Sequence, residues 1–185
     1  MSRIDAPALH RRLVEILRQR SVRRGHFVLA SGRESDLYID CRLTTLHAEG
    51  AATIAALVLD RLAPEVVGVG GPVTGADPIV GAVLAAAWQH QRPLDGFMVR
   101  KEPKGHGLKQ WVEGRANLAA GAPVCVVEDT VTTGGSLLRA IQRVEESGLR
   151  VVQVIAVVDR QEGAAERIAA AGYTLETLVG RDELG

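Results

Sequence analysis

At 185 residues the chain falls within the usual size of one domain, and no Pro/Ser-rich stretch divides it, so a single unit spanning 1–185 is expected. Hydrophobic residues make up 46% and aromatic residues only 3%. This excludes a disordered chain and leaves Val, Leu, Ile and Ala to fill the core, which suits a buried parallel sheet covered by helices. Lys plus Arg number 22 and Asp plus Glu number 22, so no global field draws the chain to nucleic acid or to an anionic membrane, and any bound anion must be held by local groups.

In chain order, Asp5 to Arg20 carries Leu9, Leu13, Ile16 and Leu17 on one helical face, with Asp5 placed to cap it. Glu15 interrupts the basic run, so this reads as part of the fold rather than as a transit peptide. Two short extended segments follow, His26 to Leu29 and Leu37 to Asp40, joined by a turn over Ser31 to Ser35, and together they suit a small lid at one edge. From residue 47 the pattern alternates: helix 47–62, strand 65–70, helix 77–91, strands 95–100 and 123–128, helix 134–147, strand 151–158, helix 163–171, strand 173–179. Such alternation predicts a parallel α/β sheet. The longest apolar runs, Ala51 to Leu59 and Ile79 to Trp88, are too short to span a bilayer, and with no secretory signal the expected address is the cytoplasm. Cys41 and Cys125 form no CxxC or Cys/His cluster; Cys125, between Val124 and Val126, reads as a buried strand thiol.

One segment breaks the rhythm. Between Arg100 and Arg115 the chain is polar and glycine-containing, with five Lys/Arg against two Glu. A loop of that length inside a compact domain is usually functional or disordered.

In open α/β sheets ligands bind beyond the carboxyl ends of the strands, so the strand-to-helix turns carry the functional signal. In Val124 to Ser136 an apolar strand ends in Glu128 and Asp129 and passes through Thr130, Val131, Thr132, Thr133, Gly134, Gly135 and Ser136 into a helix. Such a turn aims backbone N–H groups, hydroxyls and a helix N-terminus at one point, as a phosphate monoester requires. The two acids would repel a phosphate but accept hydrogen bonds from sugar hydroxyls, so the combination points to a sugar phosphate. The bland alternative, that Asp129 or Thr130 merely caps the helix, explains one polar residue rather than seven. No GxxxxGK[ST] occurs, which argues against a P-loop NTPase. The turn from Gly68 to Pro78 begins like GxGxxG, but Val73 takes the place of the third glycine, and the alternative use of its glycines is close backbone approach to a diphosphate. A departing diphosphate needs cations, and Arg100, Lys101, Lys104 and His106 are the candidates.

Val124 to Ser136 resembles the phosphoribosyl pyrophosphate (PRPP) motif of type I phosphoribosyltransferases. Val99 to Gly107 is similar to the catalytic loop of their orotate-specific branch, Phe27 to Ser35 to its N-terminal hood, and Asp159 to Glu162 to its base-binding strand end. The resemblance runs over nearly the whole chain in the same order. It implies the type I fold, a parallel sheet with helices on both faces, with an N-terminal helix and hood at 1–46, an α/β core at 47–185 and a mobile loop at 101–114. It also implies transfer of ribose 5-phosphate from PRPP to orotate, with Mg²⁺ carried by PRPP rather than by a protein-only site, and a homodimer whose loop reaches the neighbouring site.

Residue by residue, the resemblance implies that Glu128 and Asp129 hold the ribose 2- and 3-hydroxyls and that Thr130 to Ser136 cradle the 5-phosphate. By the same resemblance Thr74 and Gly75 would meet the pyrophosphate, over which Arg100, Lys101, Lys104 and His106 would close. It also implies that Arg160 pairs with the orotate carboxylate, with Thr132, Tyr38, Ile39 and Ala30 around the base. Ala30 and Thr74 stand where some members carry lysines. The rivals are a phosphoribosyltransferase for another nucleobase and a non-catalytic PRPP sensor acting on nucleic acid. The sensor requires a basic surface that this neutral chain does not offer.

Overall fold

The computed structural model describes residues 5–28, 34–103 and 110–185. Helix α1 (Ala6–Arg20) starts as its sequence predicts: the Asp5 carboxylate accepts the Ala8 N–H at 3.0 Å, and Leu13, Ile16 and Leu17 are buried. Strands β1 (Val22–Val28) and β2 (Glu34–Ile39) form an antiparallel hairpin with a register break between Arg24 and Phe27. The hairpin reaches back to Val22, which pairs with Ile39, so β1 begins four residues before the expected His26 and takes in Arg23 and Arg24, which sequence patterning leaves as loop. Glu34 and Ser35, expected in the connecting turn, belong to β2 instead. The rest of that turn, with Ala30, lies outside the described residues.

A short helix α2 (Arg42–Thr45) precedes α3 (Ala48–Arg61), and then come β3 (Gly68–Pro72), α4 (Asp77–Gln89) and β4 (Asp95–Val99). A two-residue strand β5 (Val112–Glu113) and a 3-10 turn at Arg115–Asn117 lead to β6 (Pro123–Val131), α5 (Gly135–Glu146), β7 (Arg150–Asp159), α6 (Ala164–Ala170), β8 (Leu175–Gly180) and α7 (Arg181–Leu184). In the main sheet β5 is unexpected, β8 starts two residues late, and β3 and β6 depart for reasons the ladder shows. β3 lies two to three residues later than 65–70, because its ladder starts where Gly68 meets both Val124 and Asp95. β6 runs past Glu128 to Val131, because Thr130 and Val131 still pair with Val158 and Asp159 of β7.

The main sheet has the order β5-β4-β3-β6-β7-β8, and all of its pairs are parallel except β4 with β5. Strand alternation sends Cys125 and Val127 to one face, against α1, α3 and α4, and Val124 and Val126 to the other, against α5 and α6. Each face thus closes over its own apolar cluster, and each fully buried Val, Leu or Ile contributes about 1.5–3 kcal/mol. Cys125 is a buried strand thiol, as its valine neighbours predict, and Cys41 is buried too. Among the described residues no helix is long and apolar enough to cross a membrane.

From β3 the chain moves outward to β4 on one side and returns to β6 on the other. The carboxyl ends of β3 and β6 therefore flank a topological switch point, where open α/β sheets hold their ligands.

Candidate active site

Beyond β6 the chain turns through Gly134, whose φ of 73° lies in the left-handed region that favours glycine, and enters α5 without any side-chain cap. Asp129 and Thr130 are strand residues, so the capping reading does not hold. The first N–H groups of α5 are free of side-chain partners at its N-cap and open onto a cavity of about 310 Å³ lined by Glu128, Thr130 and residues 131–137, with Arg139 and Arg167 at its rim.

A second compartment, about 340 Å³, lies between the end of β2, the turn after β3 and the same acids. Tyr38, Ile39, Thr74, Gly75, Lys101 and Asp129 line it. The Val73–Thr74 peptide is cis, and the Val73 N–H donates to the Val99 carbonyl at 3.0 Å. A third compartment brings Arg100 and Lys101 together with Trp111, Arg139 and Arg143. Ser136 lines all three, so they are parts of one groove over the switch point.

The groove's charge is divided. Glu128 is buried, and loss of water followed by the neighbouring Asp129 charge pushes its carboxyl well above the ordinary range, while Lys101 pulls it back. Burial also raises Asp129, although its Oδ1 accepts the Thr130 N–H at 2.7 Å. Each carboxyl has one backbone donor, the Asp129 N–H to Glu128 Oε1 at 3.2 Å and the Thr130 N–H to Asp129, and a vicinal diol supplies two further donors that stabilise both charges. At the opposite wall stand the cations: Lys101, and Arg100 held by Glu113 at 3.1 Å.

The structure thus gathers Glu128 to Ser136, Thr74, Gly75, Tyr38, Ile39, Arg100 and Lys101 around one groove. Lys104 and His106 lie outside the described residues. Arg160 adjoins the groove through its backbone, its N–H donating to the Val131 carbonyl at 2.9 Å. Its guanidinium lines none of the three compartments and pairs instead with Glu162 at 3.0 Å, both side chains being 12% exposed. Sequence reasoning missed Asp40 and Arg42, an ion pair at 2.8 Å beside Asp129, as well as Trp111, Arg139 and Arg167. Arg139 had a usable signal: it follows Gly135 by four residues, one helical turn beyond the glycine turn.

Residues 45–176 match the phosphoribosyl transferase domain family. Among curated proteins the chain is 46% identical over 170 residues to the orotate phosphoribosyltransferase of Rhodopseudomonas palustris, covering 90% of this chain and 91% of that one. It is 45% identical over 172 residues to the enzyme of Sorangium cellulosum, covering 92% and 90%. Among solved structures, Mycobacterium tuberculosis orotate phosphoribosyltransferase in complex with Fe(III) dicitrate superposes with a TM-score of 0.84 at 42% identity, covering 96% of this chain and 99% of that one. The same enzyme in complex with PRPP gives 0.80 at 40% identity and the same coverage. A switch-point groove with acids on one wall and cations on the other, on a chain this similar to these proteins from end to end, makes it a member of the orotate phosphoribosyltransferase family.

Proposed function

We propose that this chain transfers the 5-phosphoribosyl group of PRPP to orotate, giving orotidine 5'-monophosphate and pyrophosphate in pyrimidine nucleotide synthesis. The observation that carries the reading is the juxtaposition of the Glu128–Asp129 pair with the open start of α5, facing Lys101 across one groove. The names of the relatives support orotate over another base.

In this reading the sugar phosphate lies along the groove, its monoester in the Thr132 to Ser136 turn and its diol on Glu128 and Asp129. The ring nitrogen of orotate bonds to the ribose carbon as the carbon–oxygen bond to the diphosphate breaks, and the nitrogen's proton passes to the departing diphosphate or to water, so no strong general base on the protein is needed. What the site must supply is alignment of nitrogen with the ribose carbon, stabilisation of positive charge on the ribose by the paired carboxylates, and neutralisation of the leaving diphosphate. Arg100 and Lys101 stand at the diphosphate end, and we assign Lys104 and His106 to the same flap. The backbone at Thr74 and Gly75 takes the diphosphate from the other side. Mg²⁺ is a hard cation that binds substrate phosphates while keeping waters, and it would screen the leaving group when bound. The oxygen donors lining the groove, among them Asp40, Thr74 and Asp129, suit such a carried ion.

We further assign the segment 101–114 to a flap that closes over PRPP and reaches a second subunit's site in a cytoplasmic homodimer, with 1–185 acting as one domain under an N-terminal hood. Closure would exclude water that hydrolyses the activated sugar. Mixing His106→Ala with Asp129→Asn subunits tests the sharing, because Lys101 already faces Asp129 within one chain: hybrid dimers should regain one intact site, and no regain speaks against it. The decisive assay follows the loss of orotate absorbance with PRPP, with and without a chelator. Loss that depends on PRPP and stops with the chelator is expected, and no loss under any condition overturns the proposal.

A further inference from the structure

Two arginines from different helices converge on the phosphate-binding turn. A Cβ built on Gly135 would stand 3.2 Å from Arg167 Nη1 and 3.7 Å from Arg139 Nη1, so the glycine leaves room for both guanidinium groups. Arg139 is in the second turn of α5, and helical Cβ atoms tilt towards the N-terminus, which carries its side chain back over the turn. Arg167, on α6, donates to the Thr133 carbonyl at 3.3 Å and is fixed at the opposite rim. Both line the compartment of Thr132 to Ser136.

This grouping is electrostatically incomplete. Two like charges share the positive end of a helix, where cations are disfavoured. Among the described residues neither guanidinium is ion-paired with a carboxylate. An anion in the turn relieves both the mutual repulsion and the helix-end penalty, and a phosphate monoester offers enough oxygens for both guanidinium groups and the N–H groups of α5.

We infer that Arg139 and Arg167 form a two-arginine clamp that recognises the 5-phosphate monoester of the substrate, adding side-chain cations to a turn otherwise built from backbone N–H groups and hydroxyls. The inference rests on the placement of the monoester proposed above. Because both arginines are exposed, solvent screens them, and the clamp acts on affinity and on its salt dependence.

Calorimetric titration of ribose 5-phosphate, which carries the monoester without the diphosphate, tests the clamp. Arg139→Ala and Arg167→Ala should each weaken binding by about three- to tenfold, and the double variant by more. The double variant should also lose part of the salt dependence, and Arg→Lys replacements should restore some of the affinity. In steady state the loss should fall on KM for PRPP rather than on kcat. A double variant with wild-type affinity and salt dependence, or wild-type protein that does not bind ribose 5-phosphate, overturns the clamp. The underlying reaction is judged separately: wild-type protein that binds ribose 5-phosphate in this arginine-dependent way but does not consume orotate with PRPP keeps the clamp and loses the reaction.

Discussion

Gly75 passes so close to Asp129 that a Cβ added to it would stand 2.5 Å from the carboxylate's Oδ1. The turn after β3 and the end of β6 therefore fit together only with hydrogen in that place. Gly75→Ala must push Asp129 off its hydrogen bond from the Thr130 N–H or displace the turn. Both movements misplace groups assigned to PRPP, and small misplacements in such a site cost up to about 100-fold. We expect Gly75→Ala to raise KM for PRPP by about tenfold or more while the protein stays folded, because the contact is at the groove rather than in either apolar cluster. Unchanged KM with an unchanged melting curve would show that the turn yields freely.

Burial of Glu128 gives the empty protein a pH signature. Its folded-state pKa lies above the unfolded value, so the native state holds the proton more tightly. Its contribution to stability is complete below the unfolded pKa and declines as pH rises through the folded one. Glu128→Gln removes an ionisation that the buried site opposes. A shift of one pKa unit is worth about 1.4 kcal/mol, so the variant should melt higher than wild type at pH 8 by at least about 2–4 °C. Near pH 4.5 the difference should nearly vanish. The variant should also bind PRPP poorly, because one of the two acceptor oxygens facing the diol becomes an NH2 donor and the charge is lost. Melting curves from pH 4.5 to 9 check the stability claim, and a difference independent of pH contradicts it.

Much of this was legible before the structure. Helix α5 follows from the spacing of Leu137, Ile141 and Val144, all buried, and from the glycines before it. The paired acids and the threonine-glycine turn likewise declared themselves by residue type. The end of β6 did not, because apolar alternation stops at Val127 whereas the ladder to β7 depends on a neighbouring strand. Strand β5 is too short to have a period and exists because the Arg100 N–H meets the Trp111 carbonyl at 2.9 Å. Arg139 and Arg167 are 28 positions apart in the chain and look like solvated helix surface; only the packing of α6 beside α5 brings them over Gly135. The Arg160–Glu162 pair was also hidden, since the resemblance assigns Arg160 to orotate and is silent on what holds it beforehand.

That pair yields a further expectation. Removing one partner of a shielded ion pair leaves the other charge uncompensated, a larger loss than at an exposed pair. Glu162→Gln should therefore destabilise the empty protein, by about 1–3 kcal/mol at 12% exposure. If Arg160 takes the orotate carboxylate as proposed, orotate replaces the missing partner, and its stabilising shift in Tm should be larger in Glu162→Gln than in wild type. Arg160→Ala should abolish that shift. Equal orotate shifts in wild type and Glu162→Gln would remove the link between the two residues.

The flap's stem supplies the last prediction. Arg143 stacks on Trp111 with its guanidinium carbon 3.9 Å from the ring centroid, while its Nη1 pairs with Glu146 at 2.6 Å. Trp111 is therefore tied to α5, the helix that begins at the threonine-glycine turn, and it lines the same compartment as Arg100 and Lys101. A cation–π contact at such a site contributes about 0.5–1 kcal/mol, too little to hold the fold but enough to bias where the stem rests. Trp111→Ala should lower Tm by only about 1–4 °C and reduce kcat by about three- to tenfold, since the stem beside Arg100 and Lys101 loses its tie to α5, whereas Trp111→Phe should keep most of the activity. The chain has two tryptophans, and Trp88 is 84% exposed, away from the groove. In a Trp88→Phe background, Trp111 fluorescence alone reports on the stem. PRPP with Mg²⁺ should change its intensity, and Arg143→Ala should diminish that change. A signal indifferent to PRPP would separate the stem from the substrate.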